Sequence, residues 1–154
     1  MDKLVAYFSA TGTTRGVAEK LSKALNADIF EIEPAKLYTK KDLNYLNPFS
    51  RTTKEMMKKI NPEVKNKVDN LDQYKTIYIG FPVWWYQHPT IINTFLDEND
   101  LSNKELYIFV TSGSSSHAGS LKKLKEKYPS LNFINGKRLD GSETEEDLVN
   151  FFGK

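Results

Sequence analysis

Between Tyr7 and Gly16 the chain reads Tyr-Phe-Ser-Ala-Thr-Gly-Thr-Thr-Arg-Gly, and this stretch restricts the fold more than any other. Lys3 to Phe8, which leads into it, is short, apolar and rich in strand formers. After it, Val17, Leu21, Ala24 and Leu25 recur at the spacing of one helix face. The segment is therefore a strand, a hydroxyl-rich turn and the start of a helix. Ser9, Thr11, Thr13 and Thr14 supply hydroxyls, and Gly12 lets the backbone turn tightly and approach a ligand. The first N–H groups of a helix lack intrahelical partners and carry partial positive charge, which suits a phosphate. Ordinary N-capping is the alternative, but it uses one hydroxyl, not four. Neither the G-x-x-x-x-G-K-[ST] loop of NTPases nor the G-x-G-x-x-G dinucleotide fingerprint is present.

Further along, Asp28 to Glu33 alternates apolar and polar residues and predicts a half-buried strand near a sheet edge, stopped by Pro34. Ala35 to Tyr74 is a long connection in which Ser50 caps a helix through Lys59, with Met56, Met57 and Ile60 inward. Tyr38, Tyr45 and Arg51 in this connection either anchor it or close over a ligand. Thr76 to Phe81 has no polar alternation and predicts a strand buried on both faces. The aromatic run Pro82-Val83-Trp84-Trp85-Tyr86 follows, then a helix with Ile91, Ile92, Phe95 and Leu96 inward. Leu106 to Val110 is another buried strand and enters a small-residue loop, Thr111-Ser112-Gly113-Ser114-Ser115. The next helix turns Leu121, Leu124 and Tyr128 inward. Leu131 to Ile134 is a short strand, and a capping box from Ser142 to Glu145 opens a last helix that buries Leu148, Phe151 and Phe152.

Strands that alternate with helices imply an α/β fold, a doubly wound parallel sheet with helices on both faces. Ligands of such sheets bind beyond the carboxyl ends of the strands, where strand order reverses. The hydroxyl loop, the aromatic loop and the small-residue loop follow the first, third and fourth apolar strands, so all three belong at one end. A phosphate cradle beside flat aromatics suggests a planar ring system carrying a phosphate. A hydrophobic plug made by the tryptophans is the alternative.

Ser-x-Thr-Gly-x-Thr after the first strand, together with the aromatic and the Gly/Ser loops, resembles the flavodoxins, and the resemblance covers the whole chain. It implies a single FMN-binding domain over residues 1–154 with five parallel strands in the order 2-1-3-4-5, of the short-chain, bacterial flavodoxin-like type. By that resemblance Ser9, Thr11, Gly12, Thr13 and Thr14 hold the FMN phosphate. Pro82, Val83, Trp84, Trp85 and Tyr86 flank the flavin ring. Thr111, Ser112 and Gly113, with Ser114 or Ser115, line its pyrimidine side and N5 edge. Arg15 either faces solvent or partly neutralises the phosphate. The implied function is low-potential, one-electron transfer between a flavodoxin-reductase-type donor and an acceptor enzyme. The alternative is an FMN-dependent NAD(P)H oxidoreductase acting on quinones or other small acceptors, so the sequence leaves open whether the chain is an enzyme. Flavodoxins are typically acidic and dock on basic partners, whereas this chain carries a net charge of +2.

That charge is too mild to imply nucleic-acid binding. There is no cysteine, hence no disulfide, thiolate metal site or cysteine nucleophile. The only histidines, His88 and His117, do not make a metal site. With no signal-like segment and no membrane-length apolar run, the expectation is a soluble cytoplasmic protein with no membrane partner. A monomer is expected, with a dimer as the alternative.

Overall fold

A computed structural model describes residues 2–43, 49–84, 87–112 and 116–153. Five parallel strands form one sheet in the order β2-β1-β3-β4-β5. They are β1 (Lys3–Tyr7), β2 (Asp28–Glu31), β3 (Thr76–Pro82), β4 (Glu105–Thr111) and β5 (Asn132–Arg138). The α-helices among the described residues are α1 (Thr13–Leu25), α2 (Arg51–Lys58), α3 (Ile91–Glu98), α4 (Ala118–Lys127) and α5 (Glu145–Phe152). This is the flavodoxin-like order expected from the sequence.

Alternation along the strands sorts the core into two layers. Leu4, Ala6 and Phe8 of the first strand and its extension point to one face, with Ile77, Ile79 and Phe81, and meet α3 and α4 through Ile91, Phe95 and Leu124. Val5 and Tyr7 point to the other face, where Tyr78, Phe109, Leu148 and Phe152 pack against α1. β3 and β4 are covered on both sides, which explains their unbroken apolar runs. Each large side chain buried here contributes about 1.5–3 kcal/mol. Gly80 is required by this packing. An added Cβ would lie 2.0 Å from the Phe109 ring.

Three local expectations need correction. α2 begins at its Ser50 cap as predicted, but it buries Thr52, Glu55 and Met56 while Met57 and Ile60 are exposed. The reason is that Glu55 finds charged and phenolic partners inside, so a polar residue takes the inward place. β5 spans seven residues, not four, and its later half is polar. The capping box of α5 is Thr144 with Asp147, two residues later than expected. Ser142 instead bonds the Asp140 carboxylate.

Candidate functional site

The turn between β1 and α1 leaves the helix start available. Gly12 sits at φ 97°, a left-handed conformation that favours glycine, and no side chain caps the helix at this residue. The Ser9 hydroxyl accepts from the Gly12 N–H at 3.0 Å and tightens the turn. Among the described residues the positive end of α1 is thus unclaimed by any side chain. Thr11 and Thr13 are exposed there, their hydroxyls 3.5 Å apart. Thr14 is buried, and its Oγ1 lies 2.8 Å from Oγ1 of Thr111 at the end of β4. That bond ties the first loop to the third, so one of the four hydroxyls braces the site.

The aromatic loop is fixed to the same end. Pro82 stands opposite Thr111 in the β3–β4 register, and the Val83 N–H donates to the Thr111 carbonyl at 3.1 Å. Trp84 and Gln87 exchange backbone hydrogen bonds of 2.9 and 3.1 Å. The Trp84 ring is edge-on to Phe8 at 5.7 Å and to Tyr38 at 5.6 Å, so it forms a wall of the crevice. In the third loop the Ser112 carbonyl accepts from Arg138 at 3.1 Å. Ser9 to Thr14, Pro82 to Trp84 and Thr111 to Ser112 therefore share the carboxyl end of the sheet. Trp85, Tyr86, Gly113, Ser114 and Ser115, expected to belong to the site, lie outside the described residues, as does Tyr45.

A cluster that the sequence only hinted at stands beside this crevice. The Tyr38 hydroxyl donates to Glu55 Oε1, and Arg51 Nε donates to the other carboxylate oxygen at 2.9 Å. The Arg51 guanidinium lies 3.9 Å from the centre of the Tyr38 ring. It also donates to the carbonyls of Lys36 at 2.7 Å and Leu37 at 3.2 Å. Burial and the Glu55 carboxylate hold the Tyr38 phenol far above its ordinary pKa, so it remains a proton donor. The ring of Tyr38 meets Phe8 at 5.6 Å. Tyr38 and Arg51 thus anchor the long connection, and they do so on the wall of the site. The pairing was hidden because Glu55 is buried only by tertiary contacts.

Arg15 does not point toward the phosphate-type turn. It pairs with Glu31 at 2.6 Å and approaches the Tyr7 hydroxyl at 3.4 Å. Between this pair and Tyr38 opens a cleft of about 560 Å³, lined in part by Phe8, Ser9, Ala10, Pro34 and Leu37. Behind the aromatic loop, His88 is 5% exposed and bonds Asn93 at 2.8 Å. Burial, and after it the positive charges of Lys127 and Lys123, push its pKa down to about 4. Among the described residues no group of three or more His, Asp or Glu side chains is arranged to hold a metal ion. No helix of the described residues is long and apolar enough to cross a membrane.

A family model described as Flavodoxin matches residues 2–154. The chain belongs to the flavodoxin family. Among solved structures, a provisionally designated flavoprotein from Bacteroides eggerthii is 42% identical, with a TM-score of 0.95 over 99% of this chain and 96% of that one. A second, from Bacteroides uniformis, is also 42% identical, with a TM-score of 0.93 over 99% and 98% of the two chains. A Lactobacillus acidophilus flavoprotein, solved in complex with FMN, is 24% identical with a TM-score of 0.77 over 99% of each chain. Comparison with curated proteins finds no match. The flavodoxin fold explains why the three loops, distant in sequence, meet: each follows a strand on one side or the other of the place where strand order reverses between β1 and β3.

Proposed function

We propose that this flavodoxin-family chain binds FMN non-covalently and carries electrons between a reductase and an acceptor. The observation that carries the proposal is the uncapped start of α1 behind Gly12, set against the ends of β3 and β4. An anion there meets backbone N–H groups and the helix dipole, which are worth more to a dianion than to a neutral group. The residues fit the cofactor. Gly12 has no atom of the described residues within 4 Å of an added Cβ, so among them the space over the turn is open. Ser9 shapes the turn, Thr11 and Thr13 offer hydroxyls to the phosphate, and Thr14 braces the loop through Thr111. Pro82, Val83 and Trp84 supply an apolar, half-buried wall, and Trp85 and Tyr86 complete the aromatic run of the sequence. Thr111, Ser112, Gly113, Ser114 and Ser115 offer backbone and hydroxyl groups to the ring edge. Bound FMN would supply the redox chemistry, for which the side chains here have no substitute.

Trp84 is held edge-on to Phe8 and Tyr38, and Trp84, Trp85 or Tyr86 would take the stacking role. Tyr38 keeps its proton directed to Glu55, so the wall it forms is neutral outside and charge-paired inside.

The cleft of about 560 Å³ beside Tyr38 favours a second function, NAD(P)H oxidation with a small acceptor such as a quinone. Both functions begin with flavin binding. Adding FMN to purified protein should quench flavin fluorescence and turn the protein yellow; unquenched flavin at saturating protein rejects both. NAD(P)H consumption with a quinone and no added reductase selects the enzyme, and its absence selects the carrier.

A further inference from the structure

The excess positive charge of this chain is concentrated in one place. Residues 36–59 hold seven basic and two acidic residues, a balance of +5, while the remaining 15 basic and 18 acidic residues leave −3. Both acids of the segment are engaged locally. Glu55 is buried against Arg51 and Tyr38, and Asp42 accepts from the Thr39 N–H at 3.0 Å. Lys36, Lys40, Lys41, Lys54, Lys58 and Lys59 are all exposed, and among the described residues none of them is in an ion pair.

Hydrogen bonds gather these lysines around one short helix. Arg51, in the first turn of α2, holds the carbonyls of Lys36 and Leu37. The Thr52 N–H donates to the Asp42 carbonyl at 3.0 Å, which places the turn carrying Lys40 and Lys41 at the same helix end. Lys54, Met57 and Lys58 fall on the face of α2 opposite its buried residues. The same segment also holds the three most exposed large hydrophobic side chains among the described residues: Phe49 at 77%, Met57 at 76% and Leu37 at 73%. Apolar side chains set among unpaired lysines are not what solubility alone requires. Through Tyr38, which touches Phe8 and Trp84, the surface adjoins the wall of the candidate cofactor crevice.

We propose that the surface built by residues 36–43 and 49–59 docks the redox partner of this chain, and that the partner is a protein with an acidic face. This inference rests on the electron-transfer function proposed above. Long-range attraction steers the two together, and Leu37, Phe49 and Met57 supply the short-range apolar contact. A lipid surface fits less well. α2 has eight residues and a single exposed apolar side chain, Met57, on its outer face, too little to lie in a bilayer interface.

The test uses two haem proteins of opposite charge, acidic cytochrome b5 and basic cytochrome c, and measures binding to the full chain by calorimetry. Ionic strength is varied from ~0.01 M to ~1 M, over which the Debye length falls from about 30 Å to about 3 Å. The expected result is salt-sensitive binding of cytochrome b5 that weakens about tenfold or more when Lys36, Lys40, Lys54 and Lys58 are all replaced by Glu. The same charge change on α4, with Lys122, Lys123, Lys125 and Lys127 replaced by Glu, should weaken it less than about twofold. The FMN-loaded, reduced protein should show the same ranking in its rate of cytochrome b5 reduction. Equal losses for the two variants, or wild-type binding indifferent to salt, overturn the proposal. So does tight binding to phosphatidylserine vesicles without binding to cytochrome b5. Wild-type salt dependence needs no variant to fold, and calorimetry needs no cofactor. Intact salt-dependent binding in a protein that does not load FMN would therefore count against the electron-transfer function and not against the surface.

Discussion

His88 offers a sharp test of how tightly the aromatic loop is seated. Its Nε2 lies 2.8 Å from Asn93 Oδ1, while the Asn93 amide nitrogen donates to Asn61 at 3.2 Å. The amide oxygen therefore faces the imidazole, and Nε2 carries the proton. Nδ1 is buried with no hydrogen-bond partner among the described residues. Protonating Nδ1 would place a charge in a site closed to water, and Lys123 and Lys127 would repel it. The folded pKa is accordingly pushed down to about 4 from an ordinary 6.5. The linkage follows from these two values. Below about 6.5 the unfolded chain takes up a proton that the folded chain refuses until about 4. Stability is thus full above pH 6.5, falls as pH drops through this window, and reaches its floor below about 4. At about 1.36 kcal/mol per pH unit, the loss between pH 7 and pH 5 is about 2 kcal/mol. Asp42, Asp100, Asp140 and Asp147 have pKa values held below the ordinary 3.8, so their contributions are lost only under more acidic conditions. Urea unfolding followed by far-UV circular dichroism at pH 7 and pH 5 should show this loss in the wild type. His88→Gln should remove most of it. His117 is present in both proteins and cancels in the difference. If His88→Gln retains the wild-type slope, the imidazole is not buried and neutral as described.

Gly80→Ala would drive a Cβ to 2.0 Å from the Phe109 ring and should cost about 1–3 kcal/mol in urea unfolding, with partial recovery in Gly80→Ala/Phe109→Leu. Thr14→Val leaves the Thr111 hydroxyl buried without its partner and should cost about 1–3 kcal/mol; the Thr14→Val/Thr111→Val pair should be more stable than Thr14→Val alone, as judged by denaturation midpoint. Glu55→Gln removes the charge that Arg51 and Tyr38 share and should cost about 1.5–3 kcal/mol, with increased protease cleavage between residues 36 and 59 as a local readout.

The sheet and the end of the sheet that carries the site were legible because both depend on local pattern. Thr76 to Pro82 and Glu105 to Thr111 are apolar without alternation because helices cover both faces, and the hydroxyl turn sits where a strand passes into a helix. The partnerships were not legible. Nothing in the order of residues says that Glu55 turns inward, because its burial depends on Arg51 in its own helix and on Tyr38 from an earlier turn. Arg15 stands next to the phosphate-type turn in sequence, yet Glu31 on the neighbouring strand draws it away. Thr14 looked like one hydroxyl among four, and only the β4 strand reveals it as a brace. The polar end of β5 was missed for a similar reason: Asn135, Lys137 and Arg138 are strand residues by pairing with β4, not by apolar content.

The measurement closest to the central claim is a fluorescence titration of the protein with FMN and with riboflavin, which differ by the phosphate alone, repeated with Gly12→Ala. An added Cβ at Gly12 meets no atom of the described residues, so its effect is the strain of a side chain at φ 97°, about 1–2 kcal/mol, which the free turn relieves by leaving the shape that presents its N–H groups and which phosphate binding would have to restore. The wild type should bind FMN at least about a hundredfold more tightly than riboflavin, and Gly12→Ala should lose much of that margin while riboflavin affinity barely changes. Equal affinities for the two flavins in the wild type would contradict the claim that the start of α1 holds a phosphate.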